Sequence, residues 1–275
     1  MPQQQSVTLN DGRVMPQLGL GVFQTPPEAT AEAVRTALAD GYRSVDTAAV
    51  YGNETGVGEG LRASGLPRED VFITTKLWNG SQGFDRGLRA CEKSLERLGL
   101  DHVDLYLIHW PAPKQDLYLD SWRALIRLRE EGKAKSIGVS NFAPEHLDRI
   151  IGETGVVPVL NQIELHPSFQ QRAWRAADAK HGIITESWSP LGQGDALSNP
   201  VLTGIAKKHG KTAAQVVIRW HLELGLIVIP KSVTPSRIAE NFDVWDFKLD
   251  AEDMAAIEGL DRASGRRGPD PVTMG

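Results

Sequence analysis

Four ionisable side chains of different kinds stand at or just beyond the ends of three successive apolar runs. Asp46 and then Tyr51 follow the second run, Lys76 closes "VFITTK", and His109 closes "VDLYLIH". A charged group against an apolar wall is costly unless it is paired. A phenol, with an ordinary pKa of ~10, is a poor acid near neutrality, but a lysine ammonium beside it favours the phenolate and lowers that value. A carboxylate beside the lysine keeps it charged and in place. Asp46, Lys76 and Tyr51 therefore read as a device that makes a phenol acidic enough to protonate a carbonyl oxygen, with His109 orienting that oxygen by hydrogen bond. The carbonyl carbon then needs a hydride, which no side chain supplies, so a nicotinamide cofactor is implied. Taken singly, each residue also has an ordinary role: Asp46 as a loop cap, Lys76 as a rim lysine, His109 as a satisfied structural histidine, Tyr51 as packing. Their convergence is what favours chemistry.

Convergence requires a scaffold that brings strand ends together. Apolar runs centre near Leu20, Val45, Ile73, Tyr106, Ile137, Gln162, Ile184 and Val228. Between them lie helical patterns such as "PPEATAEAVRTALAD", "PEHLDRII" and "AAQVVIRWHLEL", with apolar residues at helical spacing. Every gap but the longer last one suits one helix and two loops. Strand alternating with helix predicts a parallel sheet with right-handed crossovers. Eight such units make an α/β fold of the (β/α)8 TIM-barrel type the best fit, and an open doubly wound sheet is the alternative. Loops at the C-terminal strand ends form the catalytic face of such a barrel. Asp11-Gly12 inside "VTLNDGRVMPQLG" signals a β-hairpin, expected to close the barrel bottom. "SPLGQGDALSNP" is a loop at the catalytic face after the seventh strand. No linker or charge block divides the chain, so residues 1–275 are expected to form one domain.

Composition narrows the classes. The 275 residues are 41% hydrophobic and 24% charged, with a net charge of −5, an ordinary globular balance. The acidic excess argues against a nucleic-acid surface, which needs a basic footprint. The single cysteine, Cys91, can form no internal disulfide and sits in the amphipathic "RACEKSLERLG", where packing is expected. "MPQQQSVTLN" lacks the pattern of a secretory signal, and apolar runs such as "LIVI" are far too short to span a bilayer. The expectation is a soluble, cytoplasmic monomer acting on a small molecule, without membrane or nucleic-acid partner. HExxH, GxSxG and cysteine-pair patterns are absent, and no metal is expected.

A dinucleotide enzyme needs a phosphate site. "GVGEGL" at 56–61 falls inside a helical pattern, so it fails the context that a phosphate-binding glycine loop requires. "IPKSVTPSRIAEN" at 229–241 offers another solution: Lys231 ends the eighth strand, and Ser232 to Thr234 lead into a helix from Pro235, with Arg237 in its first turn. Helix N-termini hold phosphates through free N–H groups and the dipole. Lys-Ser before a helix is also common capping chemistry.

With these segments placed, "GYRSVDTAAVYGNE" (41–54), "KSIGVSNF" (135–142) and "IPKSVTPSRIAEN" (229–241) resemble the three signature segments of the aldo-keto reductase family over essentially the whole chain. "SWSPLGQG" and the short tail are most similar to its prokaryotic 2,5-diketo-D-gluconate reductase-like branch. The resemblance implies Asp46, Tyr51, Lys76 and His109 as the catalytic set and NADPH as the cofactor. It further implies nicotinamide contacts from Ser140, Asn141 and Gln162, at the close of the fifth and sixth strands. Trp188 stands where many members carry tyrosine and would stack on the nicotinamide; its ordinary alternative is to fill the barrel top. Ser189, Leu191 and Gly192 would follow the cofactor, and Lys231, Ser232, Val233, Thr234, Arg237, Glu240 and Asn241 would hold the adenosine half and its 2′-phosphate. Phe23, Trp78 and Trp110 follow strand ends and are expected as apolar substrate walls, while Trp122, Trp174, Trp220 and Trp245 are expected to pack. The implied activity is NADPH-dependent reduction of aldehydes and ketones, with dicarbonyls or keto-sugars among the candidates. A lyase forming a Schiff base at Lys76 and a non-catalytic cofactor-binding subunit are the alternatives. An imine-forming lysine must be neutral, which pairing to Asp46 opposes.

Overall fold

The N-terminal segment around Asp11-Gly12 forms the hairpin its pattern dictates: β1 (Ser6–Thr8) pairs antiparallel with β2 (Val14–Pro16). The computed structural model describes residues 4–274. Leu9 and Met15 from the hairpin are buried together with Leu105, Leu107, Leu160 and Ile227 in one apolar cluster. The last four belong to the barrel strands, so the hairpin fills the bottom of the barrel, as expected.

Eight parallel strands follow: β3 (Leu20–Gly21), β4 (Ser44–Asp46), β5 (Phe72–Leu77), β6 (Val103–Ile108), β7 (Ala134–Ser140), β8 (Leu160–Glu164), β9 (Ile184–Trp188) and β10 (Ile227–Val228). They hydrogen-bond in chain order. Parallel bridges Leu18–Val228 and Gly21–Lys231 join the first strand to the last and close the ring. The closure needs a glycine, because a Cβ at Gly21 would stand 2.8 Å from the Ile229 carbonyl oxygen. This is the (β/α)8 barrel, and the open-sheet alternative falls.

Helices α1 (Pro27–Asp40), α2 (Glu54–Ser64), α3 (Phe84–Leu98), α4 (Tyr118–Glu130), α5 (Pro144–Thr154) and α6 (Arg172–Lys180) each cross between neighbouring strands. The long last gap holds two helices, α7 (Pro200–His209) and α8 (Ala213–Glu223). After β10 come α9 (Pro235–Phe242) and α10 (Ala251–Glu258). Apolar faces of α1 to α5 bury Val34, Leu38, Val57, Leu95, Leu125 and Ile150 against the outside of the sheet.

The glycines of 56–61 lie inside α2 and have a packing purpose. A Cβ at Gly60 would come within 2.6 Å of the Ala31 carbonyl oxygen of α1, and one at Gly58 would overlap the Leu98 carbonyl at the end of α3. Close helix approach requires them. Cys91 is fully buried on α3, and burial pushes its thiol up to about 12, which suits packing rather than reactivity.

Candidate active site

The C-terminal ends of the strands open into a cavity of about 620 Å³. Asp46, the last residue of β4, and Lys76, next to last in β5, both point into the barrel. Lys76 Nζ donates to Asp46 Oδ1 at 2.5 Å and to the Thr47 carbonyl at 3.0 Å. Lys76 is 0% exposed. Burial works against its charge, but Asp46, Tyr51 and the hydrogen bond to Asp46 more than offset this, so its pKa stays above the ordinary lysine value. A full ammonium is therefore fixed beneath the cavity floor.

Tyr51 ends a single 3-10 turn, Ala49–Tyr51, that β4 leads into. Its ring centroid lies 5.4 Å from Lys76 Nζ. The expected depression of its pKa is not the net outcome. Burial raises the phenol more than the Lys76 charge lowers it, and Asp46 and Glu186 add to the rise, so the group stands above its ordinary value. The lysine acts in the expected direction but is outweighed, because the same wall that buries the pair penalises the phenolate.

His109 follows β6 and packs edge-on against Tyr51 and Trp78, with centroids at 5.6 and 5.4 Å. Burial, reinforced by the nearby Lys76 ammonium, drives its pKa well below the ordinary histidine value. The imidazole is neutral, and its Nδ1 is buried without a hydrogen-bond partner. Phe23 stands 5.1 Å from Tyr51 and Trp110 stands 6.4 Å from Trp188, centroid to centroid. With Trp78 they line the cavity as apolar walls.

Opposite this group, β7 ends at Ser140 and Asn141 follows it. Asn141 adopts a left-handed conformation, φ 63°, which turns its amide back over the strand ends. Its Nδ2 donates to the His109 carbonyl and to Ser140 Oγ, each at 3.0 Å, and its Oδ1 accepts from Trp188 Nε1 at 2.9 Å. Both amide N–H groups are thus held by the protein. Ser140 Oγ donates to the Gln162 carbonyl at 2.8 Å. Gln162 is not at a strand end, since β8 continues to Glu164. Its side chain therefore reaches inward, and Nε2 donates to Asp46 Oδ2 at 2.8 Å.

The cavity lining includes Asp46, Tyr51, His109, Ser140, Asn141, Gln162, Trp188, Ser189 and Lys231, together with the three aromatic walls. Leu191 and Gly192 lie in the loop after β9, outside that lining. Ser232, Val233, Thr234, Arg237, Glu240 and Asn241 also lie outside it, on the turn into α9 and on α9 itself. There Ser232 Oγ accepts from the Thr234 N–H at 3.1 Å, a local turn bond. The Glu240 carboxylate accepts from Thr212 Oγ1 at 2.8 Å. Lys231 and Arg237 are exposed and form no ion pair among the described residues.

Several participants escaped the sequence reading. Glu186, in the middle of β9, shares the Gln162 amide with Asp46. Gln24, Val50 and Met274 join the walls, and so do Arg267, Gly268 and Pro269 from the tail. The tail is held by buried Glu164, whose carboxylate accepts from the backbone N–H groups of Arg267 at 2.6 Å and Gly268 at 2.9 Å. His166 Nε2 lies 3.0 Å from the same carboxylate. Burial alone would raise Glu164, but His166 and the two backbone donors leave it below the ordinary value. Arg267 also pairs with Asp195, tying the tail to the loop after β9. A mid-strand carboxylate in "ITESW" was the one signal that could have exposed Glu186.

The chain is similar to known proteins over nearly its whole length. The model of the aldo/keto reductase family matches residues 16–262. An aldo-keto reductase from Mycobacterium sp. (strain JLS) is 60% identical, covering 97% of this chain and 96% of its own. Methylglyoxal reductase DkgA from Salmonella typhimurium is 56% identical, covering 98% of each. Among solved structures, a mutant of Gox0644 in complex with NADPH superposes with a TM-score of 0.96 at 58% identity, covering 99% of both chains. A phenol, an ammonium, a carboxylate and a neutral imidazole at the mouth of a closed barrel, carried by a sequence this similar, leave one assignment: this chain belongs to the aldo/keto reductase family.

Proposed function

We propose that this chain, an oxidoreductase by its family, reduces small aldehydes and ketones with NADPH, Tyr51 giving the proton. The observation that carries the reading is the Tyr51 phenol standing over the buried Lys76–Asp46 pair with neutral His109 at its side. The cavity suits the reacting end of a dinucleotide and a small carbonyl compound, being within the usual size of ligand sites. The Gln162 amide oxygen accepts no hydrogen bond among the described residues and Gln162 lines the cavity, so an acceptor stands ready for the nicotinamide carboxamide. Asn141 and Ser140 flank it, and Trp188 offers an indole face. Ser189, Leu191 and Gly192 follow along the loop. Lys231 and Arg237, with the turn through Ser232, Val233 and Thr234 and with Asn241, would hold the adenosine half and 2′-phosphate. Glu240, whose carboxylate also accepts from Thr212 Oγ1, would stand with Asn241 on the adenosine side. NADPH supplies the hydride.

The remaining work falls to the chain's own groups. His109, neutral, can donate one N–H to the carbonyl oxygen and hold it toward Tyr51. Tyr51 transfers its phenolic proton to that oxygen, and the Lys76 ammonium stabilises the phenolate left behind. Asp46 keeps the ammonium in place. The aromatic walls exclude water and favour small substrates with an apolar side; methylglyoxal and other dicarbonyls, including keto-sugars, are the class to test first. Loss of NADPH absorbance across a panel of aldehydes, dicarbonyls and keto-sugars is the direct assay, and an absence of turnover on the whole panel would overturn the proposal. Since His109 is neutral throughout the working range, kcat should show no step near the ordinary histidine pKa of ~6.5. A Schiff-base lyase is disfavoured, because Lys76 is fully buried and doubly bonded. Retention of all four reactive groups disfavours a subunit without turnover.

Trp188 gives a second handle. With its Nε1 bonded to Asn141 and its ring at the cavity, NADPH binding should quench tryptophan emission mainly through this residue. Trp188→Phe should remove most of the quench while the melting temperature stays within a few degrees. An unchanged quench would make Trp188 a filler of the barrel top.

A further inference from the structure

The barrel interior holds a second carboxyl that the steps above do not use. Along β9, Thr185 faces outward, its Oγ1 donating to Asp178 on α6 at 2.7 Å, so Glu186 must face inward. Glu186 is fully buried. Its Oε2 accepts from Gln162 Nε2 at 2.7 Å, and the same nitrogen donates to Asp46 Oδ2 at 2.8 Å. An amide nitrogen has two N–H groups and both are committed, one to each carboxyl; the planar amide must then aim its oxygen away from them. That oxygen is the acceptor left for the cavity. Glu186 Oε1 is buried and has no partner, the place for a proton rather than for unshielded charge.

We propose that Glu186 is a positioning residue: it fixes the Gln162 amide with its oxygen toward the nicotinamide site, and its protonation sets the charge beneath Lys76 and Tyr51. The first part rests on the reading that Gln162 meets the nicotinamide. The groups facing Glu186 are Asp46 on β4, Lys76 on β5, Tyr51 beyond β4, and the uncharged Gln162 on β8. Burial, then the Asp46 charge, push the Glu186 carboxyl up to about 8. At neutral pH it is un-ionised, and one amide can bridge it to Asp46 without two adjacent anions. Above about 8 it ionises, and its charge raises both Tyr51 and Lys76. The phenol becomes a weaker acid and carbonyl reduction slows.

The ionisation also has a stability signature whose sign is fixed. The folded-state value is raised, so the stability associated with the neutral carboxyl is fully present below the unfolded value of ~4.3 and is lost as pH rises to about 8. Glu186→Gln, of the same shape and without a charge, removes that loss.

The test measures NADPH affinity and the pH profile of kcat in the wild type, Gln162→Leu, Glu186→Leu and Glu186→Gln. Removing a buried hydrogen-bond partner should weaken NADPH binding roughly fivefold or more in Glu186→Leu and in Gln162→Leu. Glu186→Gln should bind within about twofold of wild type, because its amide oxygen still accepts from Gln162. It should also lose the alkaline step of kcat near 8 that the wild type shows, and resist heat better than wild type at neutral pH. Wild-type affinity in Glu186→Leu beside weakened binding in Gln162→Leu overturns the positioning role alone. Wild-type affinity in Gln162→Leu overturns the cofactor reading beneath it as well. If Glu186→Leu fails to fold, the Gln variant decides through its pH profile, and a step near 8 that survives in it overturns the proposal.

Discussion

Tyr51→Phe should retain NADPH affinity within about twofold and lose nearly all turnover. The ring, its packing against Phe23 and His109, and the surrounding strands persist, so only the proton is removed. Positioned general acids contribute ~10²–10⁴-fold, and a loss in that range or beyond is expected in kcat. Asp46→Asn acts one step removed. It loosens Lys76, weakens the support of the phenolate, and should cost less than Tyr51→Phe. If Asp46, Lys76 and Tyr51 act as the proposed unit, the Asp46→Asn/Tyr51→Phe double variant should be little slower than Tyr51→Phe alone. Steady-state kinetics at saturating cofactor decide this, and a near-normal kcat in Tyr51→Phe would overturn the mechanism.

Arg237→Ala should weaken NADPH binding by roughly 10- to 100-fold and leave NADH nearly unchanged. The guanidinium sits exposed in the first turn of α9, without an ion-pair partner among the described residues. A charge-assisted hydrogen bond contributes ~1.5–3 kcal/mol, and the two cofactors differ only in the 2′-phosphate. Titration of both cofactors, at matched ionic strength, provides the comparison. Equal losses would place Arg237 elsewhere than at that phosphate.

What was legible in the sequence follows from how far each signal reaches along the chain. Strand ends are local: apolar runs closing on Asp46, Lys76 and His109 mark them, and the fold needs only eight such marks in order. The hairpin is equally local, carried by Asp11-Gly12. The tail clamp is not, because Glu164 and the Gly268 N–H it accepts from are far apart in sequence and nothing near either announces the other. Glu186 was hidden differently. Within "ITESW" an inward carboxyl looks like the polar half of an alternating strand until the register shows which face is the interior. The net acidity of Tyr51 is not legible in the sequence because burial is a sum over many neighbours, whereas the lysine that opposes it is a single visible residue.

The hairpin at the foot of the barrel has a consequence for protons. Leu9 and Met15, with Leu105, Leu107, Leu160 and Ile227, fill that end with hydrocarbon, a layer that offers water no hydrogen-bond partner on the way to Tyr51. Under the mechanism proposed above, the phenolate left by each reduction would recover its proton through the mouth, by the same opening that admits the carbonyl compound and discharges the alcohol. Reprotonation is thereby tied to product departure. Replacing solvent hydrogen by deuterium should slow the step that follows release in addition to the step that precedes it.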